Sequence, residues 1–342
     1  MELDELEQRL APFVADRYGR EDLAIAEVIK MPGHAGFAYG FRVRGEGVSD
    51  DWFLRLPPPN VKWVGTADVL RQVTVLRALD DTDVPHCSVR WAGDDLEWFG
   101  SPYFVVPWLE GDVLRLQDGE WGATLSDAQK HVLGREVMAA LAQIHRTPVT
   151  RLGYLGEPVP FKDDVERWDR FYEKAADPER LARVPEVRAR LLELLPEDAP
   201  VGLFHGDLQT ANLFCSLDGH LQAVIDWELC GVGATLNDVG WILTFSDSAA
   251  WPTTPGEGAR PMFLDPDTLA DLYREAWGDA LPDLRWYRAL AAYKFAIITG
   301  LNLSLHRRGK RVDPLWEETK FAMSTLTDRA AELLDGLRAD AA

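Results

Sequence analysis

Cysteine is scarce in this chain: Cys87, Cys215 and Cys230 are the whole supply, odd in number and without a CxxC spacing. Neither a disulfide framework nor a cysteine-based zinc site follows, and a reducing cytoplasm is the expected setting. Positive charge is short as well, with 36 Lys and Arg against 56 Asp and Glu and a formal net charge of -20. Such a surface repels phosphate-coated polymers and anionic membranes, so neither nucleic acid nor a membrane is an expected partner. Long apolar runs are also missing. The longest, residues 289–305, is interrupted by Lys294, Thr299, Gly300 and Asn302 and reads as a buried helix. Residues 1–13 are acidic and amphipathic, where an export signal is basic and then apolar. What remains is 342 residues with 46% hydrophobic content, enough for a sizeable core in two to three average domains or in one two-lobed enzyme.

Short β-rich runs at residues 24–31, 37–44, 52–56 and 103–107, broken by Gly and Pro, predict a small antiparallel sheet. Between the third and fourth runs, residues 67–79 place Val69, Val73, Leu76 and Leu79 at helical spacing, and Asp80-Asp81 ends the pattern. From Leu125 the chain turns helical. Ser126 and Gln129 form a capping box, and Leu133, Val137, Leu141 and Ile144 repeat along one face of a helix ending near His145. Further helical patterns cover 163–195, 236–247, 266–277, 283–306 and 314–336. The expected fold class is α+β, with a β-rich lobe over residues 1–107 and a mainly helical lobe over 108–342.

One β-rich island, residues 201–227, interrupts the helical half. Its strands alternate with loops, and Asp218-Gly219 supplies the turn between the last two. A hairpin inserted among helices needs a reason, because its backbone polar groups are costly to bury. The island reads His205-Gly206-Asp207-Leu208-Gln209-Thr210-Ala211-Asn212 and then Ile225-Asp226-Trp227-Glu228. Phosphoryl transfer needs an acceptor hydroxyl held in line and oxygen ligands for the Mg²⁺ that bridges nucleotide phosphates. Asp207, Asn212 and Asp226 can supply both.

The spacing from Asp207 to Asn212 is that of the protein-kinase H-R-D-x-x-x-x-N loop, with Gly206 in place of Arg. The two segments together strongly resemble the HGDxxxxN and IDWE signature of aminoglycoside-phosphotransferase-like kinases, a family that includes choline, fructosamine and homoserine-type kinases. The resemblance implies a two-lobed, protein-kinase-like fold and transfer of a γ-phosphoryl group to a small-molecule hydroxyl. It makes Asp207 the catalytic residue that orients the acceptor, and Asn212 and Asp226 the Mg²⁺ ligands. His205 and Asp238 brace the loop. ATP is the expected nucleotide, with GTP possible.

The nucleotide's neighbours follow from the same resemblance. The Gly-containing turn of residues 33–40, with Gly36, matches the position of the family's nucleotide loop, though a plain hairpin turn explains its glycines equally well. Arg55 stands on the third strand where Lys is usual, and Gln72 stands on the next helix where an acid is usual. Asp68 and Arg71 are candidates to rearrange that network. In the inter-lobe stretch 103–111, the Pro107 carbonyl and the Leu109 N-H are placed to read the base. Leu54-Arg55-Leu56-Pro57-Pro58, Tyr293-Lys294-Phe295 and His306-Arg307-Arg308-Gly309 resemble kinase-like domains fused to some acyl-CoA dehydrogenases. Arg307 and Arg308 could meet an anionic acceptor such as an acyl-CoA or cap a helix C-terminus, and capping is the favoured reading.

The acceptor is expected between the catalytic loop and the late helices, where Trp241, Trp251, Trp277, Trp286, Tyr287 and Tyr293 fall, most of them as core. An aminoglycoside or macrolide acceptor implies an acidic cleft. A hydroxyacid, amino alcohol or acyl thioester implies an apolar or basic one. A nucleotide-binding protein without transfer is a third reading, and the intact set of Asp207, Asn212 and Asp226 argues against it.

Overall fold

The computed structural model describes residues 2–31, 37–252 and 261–341. Its first lobe begins with α1 (Leu3–Tyr18), followed by β1 (Ala24–Lys30), β2 (Ala38–Gly45), β3 (Val48–Arg55), α2 (Val69–Leu79), β4 (Trp91–Gly93) and β5 (Tyr103–Pro107). The strands form one antiparallel sheet in the order β1-β2-β3-β5-β4. Strand alternation divides its residues between two faces. Tyr39, Phe41, Val43, Leu54, Tyr103 and Val105 point to one face, where Leu6, Leu10, Phe13 and Val14 of α1 cover them. Phe13 sits among Trp91, Trp98, Phe99 and Tyr103 with ring centroids 5.2–5.9 Å away, which anchors α1 to the sheet. The pleat sends Phe53, Arg55, Phe104 and Val106 to the other face, toward the second lobe. α2 begins at Val69, two residues later than the pattern suggests, because the Asp68 carboxylate accepts the Leu70 N-H and caps it.

The second lobe holds β6 (Asp112–Val113), α3 (Asp127–His145), α4 (Phe161–Glu166), α5 (Asp169–Tyr172), α6 (Val184–Glu193), β7 (Val201–Phe204), β8 (Leu213–Cys215), β9 (Leu221–Val224) and β10 (Gly231–Ala234). α7 (Leu236–Phe245), α8 (Pro266–Trp277), α9 (Leu284–Arg307), α10 (Leu315–Thr319) and α11 (Ala322–Ala341) complete it. The two-lobed α+β architecture is therefore as expected. The capping box at α3 is present, with Ser126 and Gln129 exchanging side-chain and backbone hydrogen bonds of 3.1 and 3.3 Å. Ser126→Ala is expected to cost about 1 kcal/mol, read as a fall in Tm of about 2 °C; an unchanged Tm would show the cap to be redundant.

Beyond α1 and β4, which the sequence reading did not include, further details depart from it. The helical pattern expected over 163–195 is three short helices, and between α5 and α6 the chain breaks where Asp177 takes a left-handed φ of 51° and Pro178 follows it. The pattern over 314–336 is likewise split, into α10 and α11. β10 was not legible: its Gly231-Val232-Gly233-Ala234 has poor strand propensity. It pairs antiparallel with β7, and the Phe204 ring fills the space over Gly231, where a Cβ would come within 2.6 Å. α9 is buried on nearly all sides, as residues 289–305 suggest. Among the described residues no helix is long and apolar enough to cross a membrane. Cys87, Cys215 and Cys230 are all free thiols.

Candidate functional site

The loop from β7 to β8 turns at Gly206, whose φ of 92° and 2.4 Å approach of an imagined Cβ to the Leu229 carbonyl leave no room for a side chain. Asp238, in the first turn of α7, anchors it from below. Its carboxylate accepts the His205 N-H at 2.6 Å and the Gly206 N-H at 2.8 Å, and lies 3.2 Å from His145 Nε2. Tyr273 Oη bonds the other nitrogen of His145 at 2.7 Å. Burial alone would raise the pKa of Asp238, but the His145 and His205 bonds outweigh it and hold the carboxyl below its ordinary range. His205 has both ring nitrogens committed: Nδ1 accepts the Asp207 N-H at 3.2 Å, and Nε2-H donates to the Ile225 carbonyl at 2.8 Å. It braces the loop and is not disposed as a base.

On this platform Asp207 and Asn212 meet. Asn212 Nδ2 donates to the Asp207 carbonyl at 2.7 Å and to Asp207 Oδ2 at 3.2 Å, leaving the amide oxygen outside those bonds. Asp207 also accepts from Gln209 Nε2 at 3.1 Å and from Trp241 Nε1 at 2.8 Å. Burial pushes the Asp207 carboxyl above its usual value; the Gln209, His205 and Trp241 contacts oppose that, and the charge of Asp226 adds to it. Asp226 follows β9 in a left-handed conformation, φ 64° and ψ 61°. Such backbone is uncommon outside glycine and concentrates at functional sites.

The shared hairpin thus brings two carboxylates and one carboxamide together, and a third acid joins them. Glu228 is raised by burial and by the charge of Asp226, with Arg55 opposing. The charges of these three acids repel one another. Asp226 and the Asn212 amide oxygen are the hard donors Mg²⁺ takes alongside water and phosphate oxygens. Among the described residues no group of three or more His, Cys, Asp or Glu side chains is placed to hold a metal ion, so an ion at Asp226 and Asn212 would take its other ligands from outside the chain.

Between the lobes lies a cavity of about 290 Å³. Arg55, Pro107, Leu109 and Asp226 all line it, whereas Asp207 and Asn212 are not among its lining residues. Gly36 lies outside the described residues. The Trp108 N-H is committed to the Asp51 carbonyl at 3.0 Å, while the Leu109 N-H makes no hydrogen bond among the described residues. Gln72 is buried in the cavity wall and is not the partner of Arg55. That partner is Glu228, 2.9 Å from Arg55 Nη2, with Asp226 at 3.9 Å. Glu228 had no role in the sequence reading; an acid two residues after Asp226 was the available signal. Asp68 and Arg71 do not enter this network, since Asp68 caps α2 and Arg71 bonds the Leu155 and Cys230 carbonyls.

Of the six late aromatics, Trp241 and Tyr287 line a second cavity on the far side of the Asp226-Glu228 turn, and the others do not. Arg307 is engaged in ion pairs with Asp177 and Glu317, and Arg308 is itself the C-cap residue of α9.

Residues 36–290 match the model of a phosphotransferase enzyme family. The chain is 26% identical over 269 residues to acyl-CoA dehydrogenase family member 11 of Gallus gallus, a match covering 72% of this chain and 33% of that protein. The human protein of the same name is 26% identical over 262 residues, covering 72% and 32%. The chain therefore spans about a third of the length of these curated relatives. A putative aminoglycoside phosphotransferase from Ralstonia eutropha has a similar structure, with TM-score 0.77 at 19% identity over 96% of this chain and 98% of that one. Spectinomycin phosphotransferase in complex with ADP and spectinomycin superposes with TM-score 0.62 at 14% identity over 95% and 98%. At such identities these two structures establish the shared fold.

Proposed function

The chain belongs to the phosphotransferase enzyme family, and we propose that it moves the γ-phosphoryl group of ATP, or of GTP, onto a hydroxyl of a small molecule with Mg²⁺ as cofactor. The observation that carries this reading is the convergence of Asp207, Asn212 and Asp226 on one hairpin beside a cavity that also holds Arg55 and the Pro107-Leu109 turn. In this proposal the base lies against that turn, with the Leu109 N-H and Pro107 carbonyl facing it. Arg55 meets the phosphates, and its pair with Glu228 replaces the usual lysine-acid pair. Asn212 and Asp226 would hold Mg²⁺, which when bound offsets phosphate charge. Trp241, Gln209 and Asn212 fix the carboxylate of Asp207 by hydrogen bonds, so that it orients the acceptor hydroxyl and takes its proton as the new bond forms. The reading divides the lobes at Pro107 and places the reaction in a reducing cytoplasm.

Asp226→Ala tests the nucleotide side. The Kd for Mg·ATP is expected to rise about tenfold or more, while binding of metal-free ATP changes little. Calorimetric titrations with and without Mg²⁺ read both, and equal losses in the two would remove Asp226 from the metal. The same titrations with GTP decide the nucleotide.

A further inference from the structure

The second cavity has a volume of about 400 Å³, within the range of small-molecule sites. Its walls come from α2, α4 and α5, strand β10, α7 and α9. Trp241, whose indole N-H holds Asp207 Oδ1, is part of that wall, as is Glu228 of the turn shared with the nucleotide cavity. Asp207 itself is not among the lining residues; a molecule seated here lies against Gly206, its neighbour in the loop, and against Trp241, which bonds it.

Two features of the wall are independent of the catalytic loop. Trp168 Nε1, Asn237 Oδ1 and Tyr287 Oη are buried and have no hydrogen-bond partner among the described residues, and all three residues line this cavity. Buried polar atoms are nearly always bonded. A donor, an acceptor and a hydroxyl thus stand unbonded within the wall, next to the space but with almost no surface of their own.

The second feature is charge. In a chain of net charge -20, this wall carries Arg71, Arg167, Arg170 and Lys294. Lys294 and Arg167 converge on Asp164 at 2.7 and 2.6 Å. Arg71 bonds only backbone carbonyls, at 3.3 and 2.9 Å, and Arg170 lies 4.5 Å from the centre of the Phe171 ring. Neither has a carboxylate partner among the described residues. The acids of the wall are committed instead: Asp164 to those cations and Asn237, Glu228 to Arg55, and Asp238 to His145 and the loop amides. Only the exposed Glu157 makes no ion pair.

Resting on the phosphotransferase reading, we infer that this cavity receives the acceptor and that the acceptor is a hydroxyl compound bearing an anionic group, carboxylate or phosphate, met by Arg71 and Arg170. Its hydroxyl oxygen bonds to the γ-phosphorus as the bond from phosphorus to the β-γ bridging oxygen breaks. The proton passes to Asp207, and the nucleoside diphosphate leaves with the electron pair. A polycationic acceptor would need several uncommitted acids, where this wall has two uncommitted guanidinium groups and the single acid Glu157.

The test uses the full chain with Mg·ATP, following nucleoside diphosphate release. The panel holds hydroxycarboxylic acids, their neutral amides, alcohols carrying a phosphomonoester, amino alcohols and an aminoglycoside. Anionic members are expected to exceed their neutral counterparts in kcat/KM by about 100-fold, and the carboxylate and phosphomonoester arms identify the anion. Arg170→Gln, at an exposed position, and Arg71→Gln are each expected to raise KM for the anionic acceptor by about tenfold while Kd for Mg·ATP stays constant. Preference for neutral or cationic members overturns the inference, as does transfer to none of the panel while Mg·ATP still binds. Loss of Mg·ATP binding in the unaltered chain overturns the phosphotransferase reading instead.

Discussion

Asp207→Asn is expected to lower kcat for transfer by about 10²–10⁴-fold and to leave the affinity for Mg·ATP nearly unchanged. The division follows from position: Asp207 does not line the cavity that Arg55 and Asp226 share, and its contacts are to Gln209, Asn212 and Trp241. All three donate to it. An asparagine keeps one acceptor oxygen, but its NH₂ group faces donors that a carboxylate satisfied, so both the proton acceptor and its fixed orientation are lost. The carboxylate form is the competent one. Because burial raises its pKa, transfer by the unaltered protein is expected to fall on acidification before the ordinary aspartate value of 3.8 is reached. Full turnover by Asp207→Asn in an ADP-release assay would remove Asp207 from the chemistry.

Asp238→Ala is expected to be the most damaging change to the fold of the site. It strips the partners from the His205 and Gly206 amides and leaves His145 beside an empty place. Breaking a buried, hydrogen-bonded charge of this kind costs about 3–5 kcal/mol, equivalent to a fall in Tm of about 5–15 °C. The sign with pH is fixed by the depressed pKa. The stabilisation is fully present above the unfolded value of 3.8 and is lost as pH falls through the lower folded value. Asp238→Asn should therefore unfold at lower temperature at neutral pH and lose part of the acid dependence of the unaltered chain. Thermal unfolding from neutral to strongly acid pH reads both effects; superimposable curves for variant and unaltered chain would show that the loop is held some other way.

Much of this was legible along the chain because it is short-range. The capping box spans three residues, the alternation of β2, β3 and β5 has a period of two, and Asp207 and Asn212 lie five apart on one loop. Backbone geometry alone carries such pairs to each other. The broken helix over 163–195 was misread for the opposite reason: apolar periodicity continued across Asp177 and Pro178, where the backbone did not.

The sequence by itself determined which chemical groups the site would contain and where along the chain they would stand. Tertiary structure alone decided their partners. Arg55 finds its acid 173 residues away on Glu228, a pairing that no local spacing encodes. β10 exists because Phe204 packs over its glycines, against their propensity. The guanidinium groups of the second cavity come from α2 and α5, which share a wall only once the lobes have folded together. Contacts between distant segments depend on which surfaces the whole chain can bury at once, and that balance is absent from any window of neighbouring residues.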